Sequence, residues 1–228
     1  MKPAQSLILI PICLFSACVS PLMAQTAPKS PEPAHARINA GVQIENLSRR
    51  LLEADSATAT IEKWCADHCM AFPAKIVAKR LGGPEKTPDP ETRQRLRAEN
   101  GEIIRYRRVQ LMCGQHILSE ADNWYLPSRL PAEINVMLET GETPFGKAIR
   151  SLHPRRQTIM AKVLWSPAPT EPGLRTKPAE PSGPPPILLE HRALVLGQDQ
   201  TPLSEVDERY TRELLDFGQC DAPGLTRP

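Results

Sequence analysis

A single carboxylate interrupts one of the most apolar segments of the sequence. Glu190 lies in the run ILLEHRALVL at 187–196, where alternate residues of a strand share one face with it. A carboxylate between Leu188 and Leu194 needs a partner, because burying an unpaired charge costs much free energy. The partner could be Arg192 or another arginine in a structural ion pair. Alternatively, a desolvated carboxyl group with a raised pKa could move a proton or bind a hydroxyl group of a ligand.

The densest basic cluster lies in the run RYRRVQLMC at 105–113. Strand alternation places Arg108 on one face together with Tyr106, and Arg105 and Arg107 on the other. A guanidinium group binds a carboxylate through two parallel hydrogen bonds, so an arginine on a buried strand face suits a carboxylate ligand. These arginines also have a simpler interpretation, as the solvated face of an amphipathic strand.

A second concentration of functional residue types is Asp122, Asn123, Trp124 and Tyr125. The aromatic pair beside amide and carboxylate groups could line a pocket for a ring, although strand aromatics most often belong to the core. The histidines are scattered, and no Ser-His-Asp or Cys-His order is present. The sequence therefore does not favour a hydrolase with a nucleophilic side chain.

Removal of an export signal would leave four cysteines, namely Cys65, Cys69, Cys113 and Cys220. An even number in an oxidising compartment predicts disulfides, for which three pairings exist. If Cys65 and Cys69 lie in one helix, their separation disfavours a mutual bond, and each pairs with Cys113 or Cys220. Cys65, His68 and Cys69 also suggest zinc, but a structural zinc site needs four ligands. No metal and no cofactor are predicted.

The elements that would position these residues alternate between strands and short helices. Gly114-Gln115 predicts the turn of a hairpin, and Gly141 follows an apolar stripe of helical spacing that contains Leu130, Ile134 and Leu138. The predicted strands are 74–81, 103–113, 117–126, 155–165 and 187–196, with two helices between 38 and 69 and a terminal helix, or a short strand followed by helix, over 203–217. The fold class is therefore α+β, an antiparallel sheet of five to six strands with helices packed on one side.

The N-terminal residues of the sequence predict export. Residues 1–24 carry a basic start, a short apolar run and a small-residue site, which favours cleavage after Ala24 into the periplasm. The alternative is a lipid anchor on Cys18 and an outer-membrane lipoprotein. The run is too short for a stable membrane span.

The rest of the chain divides at its proline-rich stretches. Residues 25–37 form a flexible leader, 38–217 the domain and 218–228 a tail. The segment 166–186 contains eight prolines and is predicted to be a disordered insertion. The 28 basic and 26 acidic residues leave a net charge of +2 without a basic stripe, so no nucleic-acid partner is expected.

Five separated blocks resemble bacterial chorismate pyruvate-lyase and its relatives, which include effector-binding domains of some transcription regulators. The blocks are LLEADSAT, RYRRVQLMC, YLPSRL, TPFG and SGPPPILLEHRALVL, within about residues 44–196. The resemblance implies a six-stranded antiparallel sheet that encloses a ligand between the sheet and helical flaps.

The same resemblance implies the residues of a site. Arg108 matches the carboxylate-binding arginine and Glu190 the active-site glutamate. Phe145 matches the position whose main-chain N–H contacts the ligand carboxylate. Ala57 stands where the lyase has a larger apolar residue, which puts the identity of the ligand in doubt.

Three functions follow as hypotheses. The chain could cleave chorismate to 4-hydroxybenzoate and pyruvate, or it could bind a small aromatic or enolic carboxylate without turnover. It could also be a structural protein of the cell envelope. Export argues against the first hypothesis, because chorismate is made in the cytoplasm and its two charges prevent unaided passage through a membrane.

Overall fold

Six antiparallel strands form one sheet in the computed structural model, which describes residues 34–166 and 183–220. The sheet order is β1-β2-β3-β6-β5-β4, so the chain completes one half of the sheet before it adds the other. This arrangement confirms the predicted α+β class with an antiparallel sheet. The strands are β1 (Ile76–Arg80), β2 (Arg105–Cys113), β3 (His116–Tyr125), β4 (Arg155–Val163), β5 (Ile187–Leu196) and β6 (Pro202–Thr211).

Most of the helical structure covers one face of the sheet, which we call the inner face. Its core joins the two N-terminal helices to strand residues such as Val109, Leu111, Val206 and Tyr210. The helices are α1 (Ala34–Glu53), α2 (Ala57–Asp67), α3 (Pro90–Arg95), α4 (Ala132–Thr140) and α5 (Phe145–Ala148), with 3-10 turns at Pro127–Arg129, Arg150–Leu152 and Arg212–Leu215.

The opposite, outer face carries a smaller apolar cluster. Leu96, which follows α3, packs there with Trp124 and Leu126. The α3 segment therefore departs from the expectation that all helices lie on one side. Trp124 contributes to this cluster because it lies on the outer face of β3. Its indole N–H donates to the carbonyl of Lys86 at 2.9 Å.

Local signals in the sequence fix the ends of two helices. Ser56 caps α2, with its hydroxyl oxygen accepting from the amide of Ala59 at 3.2 Å, an arrangement worth about 1 kcal/mol. Gly141 follows α4, as its position after the apolar stripe predicts. The first of these ends matters for the site below, because it places the start of α2 over the sheet.

Two disulfides connect the helical layer to other parts of the fold. Cys65 in α2 is bonded to Cys113 at the end of β2, and Cys69 is bonded to Cys220. Cys65 and Cys69 are thus not bonded to each other, as predicted, but Cys69 lies beyond the end of α2 with φ 51°, so helical spacing is not the reason. Because both thiols are oxidised, the zinc interpretation of Cys65, His68 and Cys69 is wrong.

The predicted terminal helix over 203–217 is wrong for most of its length. Residues 202–211 form β6, and only Arg212–Leu215 make a 3-10 turn. The apolar positions Val206 and Tyr210 are four residues apart, and that spacing fits strand alternation as well as a helix. The segment is a strand because it pairs with β3 on one side and with β5 on the other.

Several predicted segments lie outside the described residues. These are the signal peptide, most of the leader, most of the proline-rich insertion and most of the tail. Within the described residues α1 begins at Ala34, before the predicted domain start at 38. None of the helices there has the length and apolar character needed to cross a membrane.

Candidate functional site

A small cavity of about 50 Å³ lies between the inner face and the helical layer. Ala57, in the first turn of α2, and Phe145, at the start of α5, both line it, so the structure brings these two predicted site residues together. Other walls are apolar strand residues from the middle of the sheet. They include Val109, Leu111, Ala121, Val195 and Val206.

The cavity continues into a cleft of about 300 Å³ at the protein surface, and the two share Asp55, Ser56, Gly146 and Pro154 as lining residues. Gly146 is closely packed where the two meet. A Cβ atom there would lie 3.0 Å from the hydroxyl oxygen of Thr58 and 3.2 Å from that of Ser56. A side chain at position 146 would therefore obstruct the connection between cavity and cleft.

Arg107 is the main charged group of the cavity wall. Its exposed fraction is 2 %, and its Nη2 atom donates to the carbonyls of Thr143 at 3.0 Å and Gly141 at 3.4 Å. Burial, and to a lesser degree Arg80, lower its pKa to about 10, so the guanidinium stays charged at neutral pH. Its Nε atom has no hydrogen-bond partner, and among the described residues no carboxylate pairs with it. A buried cation in this state favours an anionic ligand.

Asn123 lies directly opposite Arg107 in the β2–β3 ladder and also lines the cavity. Its Oδ1 atom is buried without a partner among the described residues. The first turn of α2 adds the positive end of a helix dipole to the same cavity. Together these groups offer a ligand both donors and an acceptor.

Glu208 and Arg156 form a buried ion pair at another part of the cavity wall. Arg156 Nη2 donates to Glu208 Oε2 at 2.8 Å, and the Tyr210 hydroxyl donates to the same oxygen at 2.9 Å. The side chains of Arg156 and Glu208 are 3 % and 6 % exposed. Because both bonds reach Oε2, Oε1 is the oxygen that a hydrogen-bond donor on a ligand could contact.

His191 lies next to this ion pair, opposite Glu208 in the β5–β6 ladder. It is fully buried, with Nε2 at 3.5 Å from the Ser48 hydroxyl and its ring against that of Tyr210. Burial lowers the pKa of His191 to about 4, although Glu208 opposes this change. The imidazole is therefore neutral at physiological pH.

This buried histidine should make stability depend on pH. Its pKa in the folded state is about 4, below the value of about 6.5 expected in the unfolded chain. The unfolded state therefore binds the proton more tightly, and stability is complete above about pH 6.5 and lost as the pH falls towards 4. Between pH 7 and pH 4 the free energy of unfolding should fall by about 3 kcal/mol more in the parent than in His191→Leu. Denaturant titrations at both pH values measure this, and equal losses would contradict it.

The predicted role of Arg108 in the cavity needs correction. Arg108 lies on the outer face, because adjacent residues of β2 point to opposite faces and Arg107 occupies the inner one. Its guanidinium forms ion pairs with Glu120 at 3.3 Å and, more distantly, with Asp122 at 3.9 Å. Asp122 also binds Lys86 and the Tyr106 hydroxyl. Arg108 is therefore part of an ion-pair network on the outer face.

Glu190 is also placed on the outer face. It lies opposite Arg209 on β6 and Lys162 on β4. Its charge helps to raise the pKa of Asp207, after the larger contribution of burial, which shows that the two carboxylates are neighbours there. The structure thus separates Arg108 and Glu190 from Ala57 and Phe145 by the thickness of the sheet.

The cavity residues that sequence reasoning missed are Arg107, Arg156 and Glu208. Arg107 was one residue from the predicted position. Glu208 was hidden by the helical interpretation of 203–217. The alternation Val206, Glu208, Tyr210 could have identified it as a charged residue on a buried strand face.

Comparisons with solved structures find distant similarity. PhnF from Mycobacterium smegmatis is 11% identical, with a TM-score of 0.44, over 71% of this chain and 66% of that one. The effector-binding domain of the trehalose repressor TreR from Bacillus subtilis is 12% identical, with a TM-score of 0.35, over 66% of this chain and 99% of that one. Similarity at this level assigns neither a ligand nor a function.

Sequence comparison finds a much nearer relative, although no protein-family model matches. The uncharacterized protein y4mC of Sinorhizobium fredii (strain NBRC 101917 / NGR234) is 45% identical over 186 residues, which are 79% of this chain and 78% of the relative. Identity at this level over most of both chains cannot arise from a shared fold alone. The chain belongs to the same family as y4mC.

Proposed function

We propose that this protein binds a small carboxylate, with the carboxylate group in the cavity and the remainder of the ligand in the adjoining cleft. The observation that carries the proposal is the buried guanidinium of Arg107, which is charged and has no carboxylate partner among the described residues. The Nε–H of this guanidinium has no partner among the described residues and can donate a charge-assisted hydrogen bond to a carboxylate oxygen. The apolar walls suit the carbon skeleton.

The size of the cavity limits what it can hold. One water molecule needs about 10–15 Å³ of cavity volume. The cavity of about 50 Å³ therefore provides room for a carboxylate and one or two further atoms. A six-membered ring would have to occupy the cleft lined by Gly146 and Arg150. An aromatic acid would therefore place its carboxylate in the cavity and its ring in the cleft.

Cleavage of chorismate would require a catalytic group in addition to the binding site. Glu208 takes the place predicted for Glu190 as a carboxylate of the strand wall that could contact a ligand hydroxyl, and it already pairs with Arg156. An ion-paired carboxylate is a poor proton donor, so binding without turnover is the function that the geometry supports better. Release of pyruvate and 4-hydroxybenzoate from chorismate would show that the protein is an enzyme.

The proposal is tested by calorimetric titration of the purified protein with pyruvate, benzoate and 4-hydroxybenzoate, beside uncharged benzamide. We expect saturable binding of at least one of the acids and none of benzamide, because the amide lacks the charge that Arg107 requires. Incubation with chorismate, followed by ultraviolet absorbance, measures turnover in the same preparation. Equal binding of benzoate and benzamide would contradict an anion site.

We further propose that the protein acts in the periplasm. Two disulfides in a chain of this size are characteristic of an oxidising compartment, and the predicted signal ends at Ala24. The exported form should therefore begin at Gln25. Intact-mass measurement after expression in a Gram-negative host checks this, and a lipidated N-terminus at Cys18 would contradict it.

A further inference from the structure

We propose that His116, Glu213 and Asp216 form a binding site for a divalent transition-metal ion of the zinc type. Each of the three side chains offers one ligand atom, and these atoms all lie within 4.8 Å of one another. The group consists of the first residue of β3, a residue of the 3-10 turn that follows β6, and Asp216, the residue directly after that turn. It shares no residue with the cavity of the proposed ligand site.

The spacing is close to what such an ion requires. His116 Nδ1 and Asp216 Oδ2 are 3.8 Å apart. Ligand atoms about 2.0–2.1 Å from a tetrahedral zinc ion are separated by about 3.4 Å, so small side-chain rotations would complete the geometry. The ion would also relieve the repulsion between two neighbouring carboxylates.

The backbone that carries Glu213 is held against β3. One oxygen of its carboxylate, Oε2, accepts a hydrogen bond from the amide of Ile117 at 2.6 Å, which leaves Oε1 for an ion. The Thr211 hydroxyl donates to the carbonyl of Ile117, and its oxygen accepts from the amide of Glu213 at 3.2 Å. These contacts orient a ligand in the way that outer hydrogen bonds orient the ligands of known metal sites.

The backbone that follows Asp216 is also held. The next residue, Phe217, stacks on His68 with ring centroids 4.3 Å apart, and the amide of Gly218 donates to the His68 carbonyl at 3.0 Å. The Cys69–Cys220 disulfide follows directly. The two carboxylates and the imidazole therefore meet at a position that the fold already defines, which reduces the entropy cost of binding an ion.

The donor set and its exposure indicate the kind of ion. One imidazole nitrogen with two carboxylate oxygens suits zinc and similar first-row ions better than magnesium or calcium, which prefer oxygen ligands alone. The side chains of His116 and Asp216 are 29 % and 57 % exposed. Water can thus complete the coordination, as it does in zinc sites with three protein ligands.

The test uses the full exported chain with both disulfides formed, its affinity tag removed and all metal extracted with a chelator. Calorimetric titration with Zn²⁺ should show one ion per chain. Glu213→Gln keeps an acceptor for the Ile117 amide but removes the charge, and His116→Ala removes the nitrogen ligand. Each should weaken binding at least about tenfold, and Co²⁺ should lose its visible absorption bands in the same variants.

The matched control is His153→Asn. His153 lies outside the group in a left-handed conformation, with φ 46°, which asparagine tolerates, so this variant should bind Zn²⁺ as the parent does. If His116→Ala or Glu213→Gln does not fold, as judged by circular dichroism, Asp216→Asn at the most exposed ligand serves instead. Absence of binding by the parent, or unchanged affinity in these variants, would overturn the proposal.

Discussion

Replacement of Arg107 by methionine should weaken carboxylate binding by about 1.5–3 kcal/mol, or roughly 10- to 150-fold, because a charge-assisted bond to the ligand is lost. Methionine fills most of the same volume and removes the charge. The measurement is calorimetric titration with whichever of pyruvate, benzoate and 4-hydroxybenzoate binds the parent most tightly.

The control for this experiment lies one residue away. Arg108→Met removes the same charge from the same strand, but on the outer face, where the guanidinium contacts Glu120 at 3.3 Å. It should leave binding unchanged. A larger loss for Arg108→Met than for Arg107→Met would show that the register of β2, and with it the proposed site, is wrong.

Stability separates a binding role of Arg107 from a structural one. Arg107→Met loses hydrogen bonds to the carbonyls of Thr143 and Gly141, but it also removes a buried charge without a carboxylate partner. These effects oppose each other, so the free energy of unfolding should change by no more than about 1 kcal/mol. A loss of several kcal/mol would indicate that the arginine mainly supports the α4–α5 connection.

The sequence predicted the elements better than the faces on which their side chains lie. Hairpin β2–β3 and the end of α4 at Gly141 depend on local residues, and local chemistry is visible in a sequence. The assignment of Arg108 to the site depended instead on a match of separated blocks. An error of one residue moves a side chain to the other face of a sheet, so such a match cannot distinguish Arg107 from Arg108.

The partners of the charged residues in β6 could not be identified from the residues of that strand alone. The spacing of Val206 and Tyr210 fits either period, and Glu205 and Glu208 interrupt the apolar pattern. Each glutamate is explained by a distant partner. Glu205 binds Arg95 on the outer side, at 2.8 Å, and Glu208 binds Arg156 on the inner side, at 2.8 Å. Both partners lie outside β6, and no local pattern identifies them.

The residues that line the cavity show the same difference between features encoded by neighbouring residues and features that depend on residues distant in the sequence. Ala57 and Phe145 are the positions that the family resemblance implied for the site; both line the cavity, and each begins a helix. The charged wall consists of strand residues whose orientation depends on sheet register. The two positions at helix starts do not depend on the register of a strand, whereas the charged positions do.

Removal of the Cys65–Cys113 disulfide by the double substitution Cys65→Ala/Cys113→Ala should lower the free energy of unfolding by about 4 kcal/mol. The bond closes a loop with a sequence separation of 48, and the entropy of that loop in the unfolded chain accounts for this amount. Both cysteines are fully buried between α2 and β2, so the folded state keeps its geometry without the bond. Denaturant titration of oxidised protein measures the change.

The Cys69–Cys220 bond provides the comparison. Loop length alone predicts that its removal lowers the free energy of unfolding by more than removal of the Cys65–Cys113 bond does. Its sequence separation of 151 would give about 5 kcal/mol if only the unfolded chain were affected. Cys220 is exposed, however, and the segment after Leu214 makes few buried contacts. Without the bond this segment gains freedom in the folded state too, which offsets most of the entropy gained by the unfolded chain. Cys69→Ser/Cys220→Ser should therefore lower the free energy of unfolding by less than about 2 kcal/mol. If it lowers the free energy of unfolding by more than Cys65→Ala/Cys113→Ala does, the C-terminal segment is ordered independently of its disulfide.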